Sequence, residues 1–355
     1  MRYTPSSTLE IKIADSELIR VIGRHTVTED GMLALDWCSS GFSFIFNGRG
    51  FNISFGAFNA DAPAYIKVVI DGRDEQRFAV ANGRERVIIE NLYDKRHRVT
   101  VYKITESESP LLFDTLTLFG EKPSLRRLTG GKTRRLEFIG DSITCGYGVL
   151  GSESDSGYLT WQQDSTMSYA SLTAKLLGAE PRLIAVSGKG LVCNCLGDRS
   201  DVKVTQFYEY LTRRGGVCRD GWIPHAVVIN AGTNDSGGPA GSEEFAEAAN
   251  SLLDGIRARY PEAEIFWLYD MMDTHYTETL RETIQKRRET DPKLHYVITE
   301  SITARRGETG ANGHPGIRAS IRVAEELSAE IQRALGWKPA PRRETDEDPA
   351  TEAEG

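Results

Sequence analysis

Residues 136–148 read LEFIGDSITCGYG, an apolar run that breaks into a small polar turn carrying Ser142. A serine at the carboxyl end of a strand lies where ligands of open α/β sheets bind. To act as a nucleophile it needs a base for its proton and donors for the oxyanion that forms. Three later segments can supply them. Residues 184–190 (IAVSGKG) end a second apolar run in a glycine-rich turn, where the N–H of Gly188 has no side chain to block approach. Residues 229–235 (INAGTND) end a third run and place the amide donor Asn234. Residues 312–316 (NGHPG) put His314 on a loop just before the last helix.

These residues need elements to carry them. Up to residue 122 the chain reads as strands: 42–55, 64–70, 77–80, 87–89, 97–104 and 111–119, with Asp71-Gly72 closing a hairpin. Many short strands with no long helical period imply an all-β, jelly-roll-like sandwich. A polar stretch, 123–134, reads as a linker. From 135 to 337 short apolar runs (136–139, 183–186, 226–229, 265–269) alternate with helix-length segments. Tyr169, Leu172, Leu176 and Leu177 form one apolar stripe, and Phe245, Ala249, Leu252, Ile256 and Tyr260 form another. Ile317, Ile321, Ala324, Leu327, Ile331 and Leu335 form a third, stopped by Gly336. Strands alternating with helices imply a parallel sheet with helices on both faces. The acid-rich remainder, 338–355, reads as a disordered tail.

Composition narrows the field. The 355 residues carry 43 Lys+Arg against 51 Asp+Glu, a net charge of -8, which excludes the broad basic footprint of a nucleic-acid binder. The first twenty residues hold no apolar region of signal-peptide length, and no run approaches a membrane span, so a cytoplasmic location is expected. Five cysteines, an odd and sparse set, read as reduced thiols rather than a disulfide framework. Gly146 to Gly151 matches G-x-G-x-x-G but starts too far beyond its strand for a dinucleotide turn. Cys193 and Cys195 lack the spacing of a zinc site, so no metal and no cofactor is expected. Tyr147, Tyr158, Trp161 and Trp222 could stack on a sugar ring or pack in the core. Ser142 alone would read as a turn or cap serine; the order of the four segments lifts it above that.

That ordered set resembles the SGNH (GDSL) hydrolase superfamily. Gly140-Asp141-Ser142 resembles its nucleophile block, Gly188 its glycine block, Gly232-Thr233-Asn234-Asp235 its asparagine block and His314 its histidine block. The leading sandwich, GDSIT followed by CGYG, and His314-Pro315 look most like carbohydrate esterase family 2. The resemblance implies a flavodoxin-like hydrolase domain and removal of acetyl groups from sugars, including xylan and mannan fragments. It implies Ser142 and His314 as catalytic residues and the N–H of Ser142, the N–H of Gly188 and the Asn234 side chain as the oxyanion hole. One departure stands out. The superfamily carries an acid three residues before the histidine, where this chain has Ala311, and Asn312 replaces an acid often found two before it. The expectation is a Ser-His dyad in which Asn312 or a backbone carbonyl orients His314. The other readings are a carbohydrate-binding protein with an inactive hydrolase domain, and an esterase or thioesterase acting on noncarbohydrate acyl groups.

Overall fold

The computed structural model describes residues 7–57, 63–81, 83–107, 109–128 and 132–338. The acidic tail beyond Lys338 lies outside the described residues. The first region is built from β1 (Ser7–Lys12), β2 (Arg20–Ile22), β3 (Thr26–Val27), β4 (Leu33–Leu35), β5 (Gly41–Gly48) and β6 (Gly50–Ala57). It continues with β7 (Ala64–Ile70), β8 (Asp74–Val80), β9 (Gly83–Ile89), β10 (Lys95–Lys103), β11 (Leu111–Gly120) and β12 (Ser124–Arg126). They form two antiparallel sheets, ordered β3-β4-β11-β6-β9 with β1 on β11, and β12-β5-β10-β7-β8 with β2 on β5. Inward positions alternate as a half-buried sheet requires: Val99 and Val101 on β10, and Leu111 and Phe113 on β11. A register shift between Phe113 and Thr115 restores the alternation, keeping Leu116 and Leu118 inside. Phe42, Phe44, Phe46, Phe51 and Phe113 fill the space between the sheets with edge-on and tilted ring contacts.

Two expectations are corrected here. The segment 42–55 is not one strand: Gly48 and Gly50 flank a sharp reversal at Arg49, and β5 and β6 lie in opposite sheets. Part of the expected linker belongs to the sandwich, because Ser124 to Arg126 pair with β5.

The second region is a five-stranded parallel sheet made of β13 (Arg135–Gly140), β14 (Glu180–Ala185), β17 (Ala226–Asn230), β18 (Glu264–Tyr269) and β19 (Leu294–Ile298). Their order, β14-β13-β17-β18-β19, is the flavodoxin-like 2-1-3-4-5, which leaves a switch point between β13 and its neighbours at the carboxyl edge. A small hairpin, β15 (Tyr210–Thr212) with β16 (Gly215–Val217), stands apart from this sheet. α1 (Ser142–Cys145), α2 (Tyr169–Leu176), α3 (Val204–Phe207), α4 (Ser242–Arg259), α5 (Thr277–Arg288) and α6 (Ile317–Leu335) complete the domain. Ile139, Ile229 and Trp267 face a core shared with α4 and α5, while Phe138, Val228 and Leu268 face one shared with α2 and α6.

The α4 stripe is buried as expected, and those of α2 and α6 in part: Tyr169, Leu177, Ala324, Leu327 and Ile331 are buried but Leu176 and Ile321 are exposed, and Ala170, Thr173 and Ala174 of α2 and Ala319 and Val323 of α6 extend the buried faces. Small side chains on these faces let the two helices approach each other and the sheet closely.

Buried polar contacts join the two regions. Arg24 of the sandwich pairs with Glu137 of β13 at 3.0 Å, both side chains sealed from solvent, and donates to the Tyr208 carbonyl at 2.8 Å. Lys67 pairs with Asp164 at 2.7 Å. Arg213, in the β15–β16 turn, donates its N–H to Asp36 at 2.7 Å and its guanidinium to the Ser107 carbonyl at 2.6 Å.

Candidate active site

β13 delivers its chain directly into α1. Asp141 caps the helix, accepting from the Ile143 N–H at 3.0 Å, so Ser142 occupies the first helical position at the carboxyl edge of the sheet. Its Oγ lies 2.9 Å from Nε2 of His314. Nδ1 of the same ring lies 3.0 Å from the main-chain carbonyl oxygen of Asn312. The structure therefore resolves the choice left open for the orienting group: it is a carbonyl, and the Asn312 side chain is exposed.

Local strain aims that carbonyl. Asn312 has φ +52°, a left-handed conformation that asparagine tolerates better than most residues. Two bonds from the loop after α1 hold it there: Ala311 N–H to Gly148 O (3.1 Å) and Asn312 N–H to Asp155 O (2.8 Å). Tyr147 closes the other side of the imidazole, edge-on at 4.7 Å between ring centroids, and Tyr158 stacks on Tyr147 at 4.2 Å.

Ala311 is fully buried against this loop. A Cβ placed on Gly151 would lie 2.4 Å from that of Ala311 and 3.2 Å from a carboxylate oxygen of Asp155. The Ala311 side chain thus lies hard against Gly151 with the Asp155 carboxylate close by, and a carboxylate introduced by Ala311→Asp would be crowded into a buried site beside Asp155. We expect Ala311→Asp to lower unfolding stability by at least about 2 kcal/mol. It should not raise kcat/KM for an acetate ester. Urea unfolding and ester hydrolysis check both, and a variant as stable as wild type and faster would contradict this packing.

Burial holds the His314 imidazole below its ordinary pKa of 6.5, opposed by the Asn312 carbonyl and the charge of Glu106. The ring therefore stays neutral, and able to accept a proton, into mildly acidic solution. An NMR titration of the His314 ring, assigned through His314→Gln, should give a midpoint below 6.5. A midpoint above it would contradict this account.

Gly188 sits in the turn that follows β14. The turn is closed by Lys189 N–H on Val186 O (3.4 Å), and Gly188 holds its third position at φ +76°, the signature of a type II turn. Among the described residues the Gly188 N–H has no protein acceptor. The preceding residue, Ser187, is fixed by Glu106 of the sandwich, which accepts its N–H at 2.8 Å and also its hydroxyl.

Asn234 lies beside this turn, but its amide is already engaged. Nδ2 donates to Asp141 Oδ2 and to the Lys189 carbonyl, each at 3.0 Å. It thus joins the nucleophile turn to the glycine turn, and donation to a third oxygen means sharing one of these bonds. Asp235 reinforces the link by accepting the N–H groups of Leu191, Val192 and Cys193 at 2.7 to 2.9 Å. Burial pushes the Asp141 carboxyl up to about 7, against the Ile143 N–H, with the nearby Asp235 and Glu106 adding to the rise.

The four sequence segments do converge on one edge. Of the aromatic candidates, Tyr147 is buried against His314, Tyr158 stacks on Tyr147 and is partly exposed, and Trp161 is partly exposed. Trp222 is not near the site: it donates to Glu180 and stacks under Arg182 at the opposite, amino-terminal edge of the sheet. All five cysteines are free thiols, four buried and Cys195 exposed. Among the described residues no cluster of metal-ligating side chains occurs, and no helix is long and apolar enough to cross a membrane. Sequence reasoning missed Glu106 and Ser187; nothing in TESESP (105–110) marks Glu106 as reaching another domain.

Comparison with known proteins agrees with this architecture. Residues 138–295 match the GDSL-like Lipase/Acylhydrolase family and residues 21–123 match the Carbohydrate esterase 2 N-terminal family. "Cellulase/esterase CelE" of Acetivibrio thermocellus is 31% identical over 313 residues, covering 81% of this chain and 37% of that protein. An "Acetylxylan esterase / glucomannan deacetylase" of Cellvibrio japonicus is 29% identical over 61% of this chain and 59% of its own length. The chain thus spans well under two thirds of either relative. A solved family two carbohydrate esterase from Clostridium thermocellum, in complex with cellohexaose, superposes with a TM-score of 0.82 at 28% identity, covering 90% of this chain and 100% of that one. An acetyl xylan esterase from Butyrivibrio proteoclasticus, 22% identical, shares the fold with a TM-score of 0.84 over 93% of this chain and 99% of its own. The chain thus joins a GDSL-like lipase/acylhydrolase domain to a carbohydrate esterase 2 N-terminal domain, the two-part organisation of the solved family two carbohydrate esterase.

Proposed function

We propose that the protein is a serine esterase that removes O-acetyl groups from acetylated carbohydrates of the xylan or mannan type, with Ser142 as nucleophile and His314 as base. The observation that carries this reading is the pair of bonds through His314, 2.9 Å to Ser142 Oγ and 3.0 Å to the Asn312 carbonyl. A carbonyl only accepts, so Nδ1 carries the proton and Nε2 presents its lone pair to the serine. This is the tautomer that general-base catalysis needs, obtained without an acid.

In the reaction His314 Nε2 takes the Ser142 proton as Oγ attacks the acetyl carbonyl. The oxyanion is met by the N–H groups of Ser142 and Gly188, and by Asn234 through one shared N–H. His314 then gives its proton to the departing sugar hydroxyl, leaving acetyl on Ser142. Water attacks that ester with His314 again as base, and acetate leaves as the proton returns to Ser142. The imidazolium faces a carbonyl dipole where an acid would supply a full charge; the Glu106 carboxylate contributes part of the missing field.

The relatives named as acetylxylan esterase and glucomannan deacetylase support the acetyl and sugar assignment, and the cellohexaose complex supports a cleft that accepts a β-linked chain. Partly exposed Tyr158 and Trp161 offer ring faces for a sugar. The test is hydrolysis of p-nitrophenyl acetate, butyrate and octanoate. The expected result is preference for acetate, with acetate also released from acetylated xylo-oligosaccharide. Preference for the longer esters would move the assignment to noncarbohydrate acyl groups. Sugar binding without turnover would move it to a binding protein.

A further inference from the structure

We propose that Glu106, a residue of the sandwich, is a positioning residue for the acyl-transfer site. Through Ser187 it anchors the turn that presents the Gly188 N–H, and through Tyr158 it steadies the aromatic pair against His314. The inference rests on the esterase reading above.

Glu106 lies in the loop between β10 and β11, and its side chain is buried. The carboxylate collects donors from three separate segments of the α/β domain. Oε1 accepts the Ser187 N–H at 2.8 Å and faces the Arg213 guanidinium at 3.4 Å. Oε2 accepts the Ser187 hydroxyl and, at 2.9 Å, the Tyr158 hydroxyl. The loop that carries it is fixed in turn. Glu106 N–H donates to Gln163 Oε1 at 2.9 Å, Arg213 donates to the Ser107 carbonyl, and the buried Lys103 donates to the Thr105 carbonyl at 2.6 Å. Burial alone would raise the Glu106 carboxyl, but Arg213, Ser187 and Tyr158 outweigh it and hold it below the usual carboxylate value.

What these bonds control follows from turn geometry. Type I and type II turns differ by a half-rotation of the central peptide, here the one joining Ser187 to Gly188. That rotation decides whether the Gly188 N–H faces the nucleophile or points away. Ser187 is held at both its N–H and its Oγ by one acceptor, which fixes the peptide entering the turn and so the position from which the Gly188 N–H is presented; the central peptide itself turns about ψ of Ser187 and φ of Gly188, which these bonds leave free. The second arm acts on the base: Tyr158 stacks on Tyr147 with an interplanar angle of 16°, and Tyr147 meets the His314 ring at 86°. Each of the four oxygen-directed contacts is internal, so the carboxylate is filled by the protein and acts through its neighbours.

The experiment uses the full chain and compares wild type with Glu106→Gln, Ser187→Ala and Ser142→Ala. Active sites are counted by titration with a p-nitrophenyl methylphosphonate ester, and kcat and KM for p-nitrophenyl acetate are expressed per titrated site, or per folded chain for Ser142→Ala, which has no serine to titrate. We expect Glu106→Gln and Ser187→Ala each to lower kcat about tenfold or more with KM within about twofold, the pattern of a contact that matters in the transition state. A mere staple between domains would lower the melting temperature and the number of titratable sites while leaving kcat per site at the wild-type value, and that result overturns the proposal. Should Glu106→Gln fail to fold, Ser187→Ala, which removes a single hydroxyl, carries the test alone. Turnover retained in Ser142→Ala would overturn the esterase reading and this inference together. An inactive Ser142→Ala beside unchanged kcat in the other two would leave the esterase reading standing and reject the role of Glu106.

Discussion

Ser142→Ala is expected to lose at least about 10⁴-fold in kcat against an acetate ester while unfolding at the wild-type temperature. The size of the loss follows from the chemistry: without Oγ there is no covalent acetyl intermediate, and only binding and the oxyanion donors remain to favour attack by water. The unchanged stability follows from the structure. The helix that begins at Ser142 is capped by the carboxylate of Asp141, and the Ser142 hydroxyl bonds His314. Removing it therefore uncaps no helix, and the imidazole can take a water in its place. Steady-state hydrolysis and a thermal melt of the same preparation check both halves. A variant that keeps a tenth of the activity, or one that melts early, would contradict them.

Gly188→Ala carries the second largest effect, about 10²- to 10³-fold in kcat, the loss that accompanies removal of one oxyanion donor. Steric exclusion is not the cause, since a Cβ here would meet its nearest neighbour, the Cys195 Cβ, at an ordinary 3.5 Å. The cause is the φ of +76°, which costs an L-residue roughly 1–2 kcal/mol. A turn with alanine at this position relieves the strain by rotating the central peptide to the type I form, which carries the N–H away from the nucleophile. The prediction is thus a large fall in kcat beside a small fall in stability. Measuring both on one variant is decisive: a loss of stability above about 3 kcal/mol, or kcat within about threefold of wild type, would show that the turn is not held as described.

The fold class could be read from the sequence because its strongest periods are long ones. The apolar runs of β13, β14, β17 and β18 and the alternation of β7 and β10 are set by burial on two faces or one, which residue type reports directly. α5 escaped because TETLRETIQKRR buries only Leu280 and Ile284, too few apolar residues to make a stripe. β19 escaped with it: Leu294 and Val297 are buried, but His295 and Tyr296 between them are half-buried and break the run. On α2 and α6 the apolar type gave the buried face only in part: Tyr169, Leu327 and Ile331 are buried, but close helix packing selects Ala170, Ala174 and Ala319 over the larger Leu176 and Ile321.

The candidate site divides in the same way. Ser142, Gly188, Asn234 and His314 were legible because each lies at a strand end or before a helix, in a turn with its own composition. The group that orients His314 was narrowed to Asn312 or a backbone carbonyl, but which carbonyl was not legible, since every residue has one and only the left-handed turn at Asn312 aims this one. The same is true of Glu106, whose role depends on two domains meeting. The internal engagement of Asn234 is likewise a matter of three-dimensional neighbours, Asp141 and the Lys189 carbonyl, that no spacing announces.

The central claim is that Ser142 and a carbonyl-oriented His314 release acetate from a sugar. Its most direct test is acetate release from acetylated xylo-oligosaccharide, followed by an enzyme-coupled acetate assay, for folded wild type, Ser142→Ala and His314→Ala. The account predicts steady release by wild type and background release by both variants. Release by either variant at the wild-type rate, or none from folded wild type, would contradict it.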